Sequence, residues 1–585
     1  MNSLLLAIAA VASMGMGGCC AHAAAGPVPA GAVTPAEEAS LDALRAELRR
    51  NATELSLPNA PAVHLLRYHV TRLSSLTAGS TFGALRSWRD ASGRELGVEV
   101  RVGTPDYDSS GFGGWETGTR LHPLPEGPGI AADLGVAWLE TDRAYKDAVE
   151  QYGRKKAVYT TPKDHPGDWQ VIPAAQADEG AAPAGDVRQL TERVRALSAA
   201  FLGFPELESG EAELGAEAGF HHIIGLDGTS IRRRRQEVSM AATATARAED
   251  GMLVADRRMW TVREMSRLPS QAEMQRSASQ MAAELLVAAA SPMAEDEYVG
   301  PVVFRGQAAA DLFRHLLIPQ LEGTPPVVPF DTVIGEMGQG LLPDSSGHAR
   351  LGRRVLPPGW EVVDDPQHNL GHPASFNFDA EGTPAQEVDL ATDGIVRTLL
   401  MGRIPRKGVA GTNGHARGRP GERLHGRASM TTIRGPAGEE RSSDFLVKKG
   451  LELARSYGHD HVLVIDRLID PSMIPGEVST GDEGSGLGLP PPVIARRVYA
   501  DGREELLRGL GFAGVHRWVL RDIAAAGPAN DLSYMAPFRP GSSTFTPIHG
   551  MPTWISAPEV VVGEMELVPR SADPRERPVV PPPGL

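Results

Sequence analysis

The chain has only two cysteines, Cys19 and Cys20, and both lie within its first twenty residues. Everything downstream is free of thiols, which excludes a disulfide framework, a Cys-rich zinc site and a cysteine nucleophile there. Positive charge is also scarce: 58 Lys and Arg against 73 Asp and Glu leave a formal charge of −15, which argues against a general nucleic-acid surface or an anionic-membrane face. The apolar stretch from Leu4 to about Met16 is too short for a comfortable membrane span. No His-Glu-x-x-His, Walker loop or Gly-x-Ser-x-Gly elbow occurs anywhere, so three common catalytic readings have no foothold.

What is present is ordinary globular composition, 41% apolar and 22% charged, with 65 Gly and 47 Pro that point to many turns. At 585 residues two domains are the natural expectation, and the pattern indicates α+β. Residues 1–24 fit a signal peptide or a lipoprotein leader. Ala21-His22-Ala23 offers a signal-peptidase site, while the run to Cys19 is a loose lipobox that would leave a lipid anchor there. Either implies an exported chain, periplasmic or lipid-anchored in the cell envelope. The lack of Lys or Arg before the apolar stretch leaves a cytoplasmic protein with an odd leader open.

Residues 25–39 read as a linker, and Ser40 as the N-cap of a helix carrying Leu41, Leu44 and Leu48 on one face. A half-buried strand covers residues 95–103, and Tyr145, Val149 and Tyr152 mark a second helix. Asp186 and Gln189 have capping-box spacing ahead of Leu190, Val194, Leu197 and Phe201. The basic run Arg232 to Arg235 is expected on the solvent-facing edge of a strand. Met274, Ala278, Met281 and Leu285 form a core stripe on a further helix. This gives an N-terminal α/β domain over 40–295. A mostly β domain follows over 296–570, interrupted by a helix that Ser443 caps, with Leu446, Leu453 and Tyr457 inward and Gly458 just past its end. Residues 571–585 read as a disordered Pro-rich tail.

The stretch ADLFRHLLIPQLEG (310–323) predicts a helix with Leu312, Phe313, Leu316 and Leu317 inward, ended by Pro319. With GPVVFRGQAAADLF before it, and VVDDP, FNFDAEGTPAQEVDLATDGIV and TNGHARG after it, the chain resembles the TldD/PmbA family, also called modulators of DNA gyrase. The resemblance implies an α/β N-terminal domain followed by a largely β C-terminal domain. Catalytic members of that family resemble zinc peptidases with a His-Glu-x-x-x-His helix and a later cysteine. With LEG (321–323) setting the register, the three motif positions are Arg314, His315 and Pro319. Arg stays protonated and Pro offers no ligand atom, so neither can bind zinc, and the cysteine is missing. No catalytic or metal residue is therefore carried over.

The expectation is a non-catalytic, PmbA-like chain without a cofactor. It would be a peptide-binding or partner subunit in a homodimer or in a heterodimer with a TldD-like chain, with no nucleic acid bound. Peptide could add as a strand along a sheet edge. The alternative is a working zinc metallopeptidase cleaving unfolded peptides with relocated ligands such as His459, His461 and His549. His368 and His372 are read as loop residues, because Pro366, Gly371 and Pro373 oppose a helix. The basic segment 403–430 is the candidate peptide-carboxylate site, through Arg406, Lys407, His415 and Arg417. Its Asn413-Gly414 pair equally suits a solvated hairpin.

Overall fold

The fold is taken from a computed structural model that describes residues 33–113, 118–127, 129–159, 163–182, 187–325, 327, 351–473, 488–516, 518–536 and 550–570. The leader with Cys19, Asp186, His549 and the tail 571–585 lie outside the described residues.

The first sheet is built from β1 (Val63–Thr81), β2 (Ala84–Thr104), β3 (Tyr107–Asp108), β4 (Thr119–Leu124), β5 (Gln176–Asp178), β6 (Ser209–Gly225), β7 (Ser230–Arg247) and β8 (Leu253–Val262). Its main order is β3-β2-β1-β6-β7-β5, with β4 beside β2 and β8 beside β7. Strict alternation divides it into two faces. Leu66, Tyr68, Val70, Leu96, Val98 and Val100 are buried beneath α1 (Pro35–Glu54) and α2 (Ile130–Val158). Farther along, Leu76, Ala78, Leu214 and Met240 are buried with residues of α3 (Val187–Ser198) and α4 (Gln271–Ala290). The intervening positions, among them Arg67, His69, Glu99, Arg101 and Arg233, are polar.

Two sequence expectations change here. The first helix begins inside the expected linker: Thr34 caps it in a reciprocal box with Glu37, with Pro35 in its first turn. Ser40 is instead buried inside the helix and hydrogen-bonds Asp133 of α2. The basic run is at an edge only in part: β6 lies along one side of β7, while on the other side β5 pairs as far as Arg232 and β8 starts at Val238. Arg232 is buried between Glu38 and Asp178, and Arg233 lies over Phe376 at 5.5 Å. Alternation sends successive arginines to opposite faces, and Arg235 keeps 40% side-chain exposure.

The second sheet begins at β9 (Tyr298–Phe304) and continues with β10 (Glu361–Asp364), β11 (Val388–Thr392) and β12 (Ile395–Val396). A separate two-stranded ribbon, β13 (Ala416–Arg417) with β14 (His425–Gly426), lies in the basic segment. The sheet is completed by β15 (Met430–Arg434), β16 (His461–Ile465), β17 (Ala495–Tyr499), β18 (Glu504–Leu507), β19 (Leu510–Ala513), β20 (Ile523–Ala536) and β21 (Met551–Pro569). The order is β12-β11-β10-β15-β21-β9-β16-β17-β18, with β19 and β20 also on β21. β21 is the spine, and its Val560-Val561-Val562 run is fully buried, as a central strand covered on both faces requires. α5 (Gly306–Leu316) follows β9 directly, and α6 (Ser443–Ala454) packs against β9, β16 and β21. Ser442, not Ser443, caps α6, and Tyr457 turns outward at 39% exposure while Leu446 is buried. Gly458 takes the left-handed φ of +81° that ends this segment. Helices combined with two large sheets make the fold α+β.

Candidate functional site

α5 starts immediately after the buried strand β9, so its axis is fixed by the sheet. Leu312, Phe313, Leu316 and Leu317 are completely buried, and Phe313 rests on Trp360 with ring centroids 5.9 Å apart. The helix stops at Leu316, and Pro319 lies within a 3₁₀ turn over Ile318–Gln320. This is the end that the missing amide of proline dictates.

The three motif positions hold no metal-binding set. Arg314 pairs with Asp311 one turn earlier at 3.1 Å and lies over the Tyr534 ring at 4.2 Å. Burial would raise the Asp470 carboxyl, but Arg257 and Arg314 outweigh it and hold it at about 2. Arg257 contacts Asp470 directly, at 3.0 Å. Asp311, which also accepts from Gln307 at 2.8 Å, is pushed up by burial against the pull of Arg314. His315 keeps its Nε2 out of solvent without a hydrogen-bond partner, and burial, then Arg314, push its pKa down to about 3. A neutral imidazole could ligate zinc, but the neighbouring guanidinium is a fixed cation and Pro319 supplies nothing. Zinc does not fit here. Among the described residues no group of three or more His, Cys, Asp or Glu side chains is placed to hold a metal ion.

Of the relocated candidates, His459 and His461 are neighbours engaged with other groups, and His549 lies outside the described residues. The His459 and His461 rings are 5.6 Å apart beside Tyr298. His459 Nε2 contacts the Val299 carbonyl at 2.9 Å, and His461 Nδ1 contacts Asp460 at 2.9 Å. His372 Nε2 meets Ser533 at 3.0 Å, while His368 stacks on Trp554.

The Asn413-Gly414 pair of the basic segment is buried, not solvated. Asn413 is buried, its side chain accepting from Met401 N at 2.8 Å and donating to Leu399 O at 2.8 Å. His415 is fully buried against Asp364 at 3.0 Å. Arg417 donates to the carbonyls of Ala428 and Pro552. Arg406 donates to Gly323 O at 2.9 Å, and Lys407 pairs with the exposed Asp164. The four residues thus reach four different places, and they do not converge on one surface.

Sequence reasoning missed a second charged cluster, where the polar face of the first sheet meets these loops. The guanidinium groups of Arg67, Arg101 and Arg403 lie over the Trp169 indole at 5.2, 4.2 and 4.6 Å. Glu99 pairs with Arg101 at 2.9 Å and with Arg67 at 3.7 Å. Arg403 reaches Asp227 at 3.6 Å, and its backbone N–H donates to Glu381 at 2.5 Å. Burial, then Asp379, push the Glu381 carboxyl upward. The signal was present in LLRYHVT, whose alternate Arg67, His69 and Thr71 look like a solvated strand face until a second layer covers them.

Residues 297–482 match the family model described as the PmbA/TldA metallopeptidase C-terminal domain. Over these residues the chain carries a PmbA/TldD-family domain. The fold agrees with solved structures of low identity. One is a candidate modulator of a DNA gyrase from Thermotoga maritima (16% identity, TM-score 0.56, covering 91% of this chain and 100% of that one). Another is TldE from Thermococcus kodakarensis (13% identity, TM-score 0.55, covering 90% and 100%). A third is a candidate modulator of DNA gyrase from Bacteroides thetaiotaomicron (12% identity, TM-score 0.57, covering 92% and 99%). No curated protein matches the sequence. The TldD/PmbA family is metallopeptidase-related, and none of the described helices is long and apolar enough to cross a membrane.

Proposed function

We propose that this TldD/PmbA protein is a non-catalytic member of its metallopeptidase-related family that works as a peptide-binding or partner subunit. The observation that carries this reading is Arg314. A guanidinium held by Asp311 and Tyr534 stands on the helix face where a zinc peptidase needs imidazoles, and a fixed cation repels a divalent ion instead of binding it. The nearest imidazole, His315, belongs to no group of three or more metal-type side chains among the described residues. Export, by signal peptide or by a lipid on Cys19, is part of the same proposal and rests on the leader sequence alone.

The test is proteolysis. Purified protein is incubated with unfolded peptides, with and without chelator and added zinc. The reading expects no cleavage under any condition. Chelator-sensitive cleavage would sink it and favour the relocated-ligand metallopeptidase. Mass spectrometry of the mature N-terminus tests the address: a lipidated Cys19 or a cut after Ala23 supports export, and an intact Met1 contradicts it.

A further inference from the structure

The helices α1 and α2 lie side by side and run the same way. Ser40 of α1 contacts Asp133 of α2, Tyr68 bridges Asn51 to Thr141 at 3.1 and 2.7 Å, and the amide of Leu57, just past α1, donates to Tyr145 at 3.1 Å. Residue numbers rise along both helices in this series, so at a rise of about 1.5 Å per residue the two begin at nearly the same level. The described residues start at Val33, one before the Thr34 cap, and so at the end of the fold where α2 starts.

That end carries an apolar face left open to solvent. Ile130, Trp138 and Leu139 are 45%, 55% and 37% exposed, and Ala131, Ala132 and Gly135 between them are exposed as well. Ala131, Gly135 and Trp138 share one side of the helix by spacing. Beyond Leu139 the outward side chains become charged, with Asp142 paired to Lys146 and Glu150 to Arg154.

The surroundings favour a lipid surface as the occupant. Trp138 sits where the apolar end gives way to charge, the position an indole takes at a membrane boundary. Cys19 stands fourteen residues before Val33, and a stretch of that length spans at most about 50 Å, so an acyl group there holds this end of the fold near a bilayer. The exposed Glu38 and Asp42 of α1 select a neutral bilayer over an anionic one.

We propose that the apolar end of α2, from Ile130 to Leu139, rests on the surface of a neutral lipid bilayer and sets the orientation of an anchored chain. This rests on the lipid-anchor branch of the export reading, to which it adds the face that meets the membrane. The test is flotation with phosphatidylcholine vesicles, using the chain from Ala24 onward, which keeps every described residue and carries no acyl group. Wild type is expected to partition, undiminished by high salt, because apolar contact is not screened. Trp138→Asp and Leu139→Asp should each lower the partition roughly tenfold or more. Leu370→Asp, at a residue 53% exposed in the second domain, should leave it unchanged. Circular dichroism confirms that each variant is folded. No partition by wild type, indifference to Trp138→Asp, or an equal loss with Leu370→Asp overturns the proposal. So does a sedimentation mass that falls on Trp138→Asp, since a second copy would then cover the face. An intact Met1 in the native chain, with partition that still depends on Trp138, would overturn the export reading and leave this contact standing; a lipidated Cys19 without that dependence would do the reverse.

Discussion

Around Arg314 the charges are paired at close range. The layer between the first sheet and the basic segment balances its charges less well. On α5 one cation is matched by Asp311, with Asp470 held ionised nearby by Arg257. In the layer, both Nη atoms of Arg67 lack a hydrogen-bond partner. There too Glu237 is paired directly across the ladder with Glu217. Like charges so placed repel, and burial, then Glu217, push Glu237 up to about 7. The contrast separates two uses of buried charge. The α5 group is a compact ion pair, whereas in the layer burial pushes carboxyl groups upward.

The contrast can be broken most strongly at the ion pair. Arg314→Met leaves the buried Asp311 without its cation and should cost about 3–5 kcal/mol in chemical denaturation. Adding Asp311→Asn should recover part of the loss. An Arg314→Met chain as stable as wild type would show that the ion pair carries no stability. Next comes the indole under the three guanidinium groups. Trp169→Ala should cost about 3 kcal/mol through lost packing and cation–π contact, read as a lower thermal midpoint.

The pH response is smaller and carries a definite sign. The folded pKa of Glu237, about 7, lies above the unfolded value of roughly 4.3. Its contribution is therefore fully present below about pH 4 and is lost as pH rises through about 7. Glu237→Gln keeps an acceptor for Ser239, which donates to it at 3.0 Å. It should stabilise the protein by up to about 2 kcal/mol at pH 8 and by nothing at pH 4. A pH-independent difference would remove the charge explanation. The smallest effect is expected at the exposed pair of Lys407 and Asp164: Lys407→Ala should change stability by less than about 0.5 kcal/mol.

Much of this was legible locally. Apolar spacing located α3, α4 and α5, and Pro319 marked the end of α5, because helix propensity and breakers act over a few residues. The motif comparison placed Arg314, His315 and Pro319 at the three motif positions of α5 and its end. The start of α1 was missed because Ser40 and Thr34 are both competent caps, and only Thr34 has Glu at the box position. The charged layer was illegible for a different reason. Arg67, His69 and Arg233 carry the pattern of a solvated strand face, and what covers this face includes Trp169, Phe376 and Arg403, far along the chain. The same distance hid the fate of His415 and Arg417, whose partners Asp364 and Pro552 no local pattern could name. β20 escaped notice because Gly527-Pro528 resembles a turn, yet the ladder passes it through a register shift.

Metal content tests the central claim most directly. Protein purified without chelator, then equilibrated with equimolar zinc and desalted, should carry far less than one zinc per chain by mass spectrometry, and Arg314→His should be the form that begins to retain it. One tightly held zinc per wild-type chain would contradict the account.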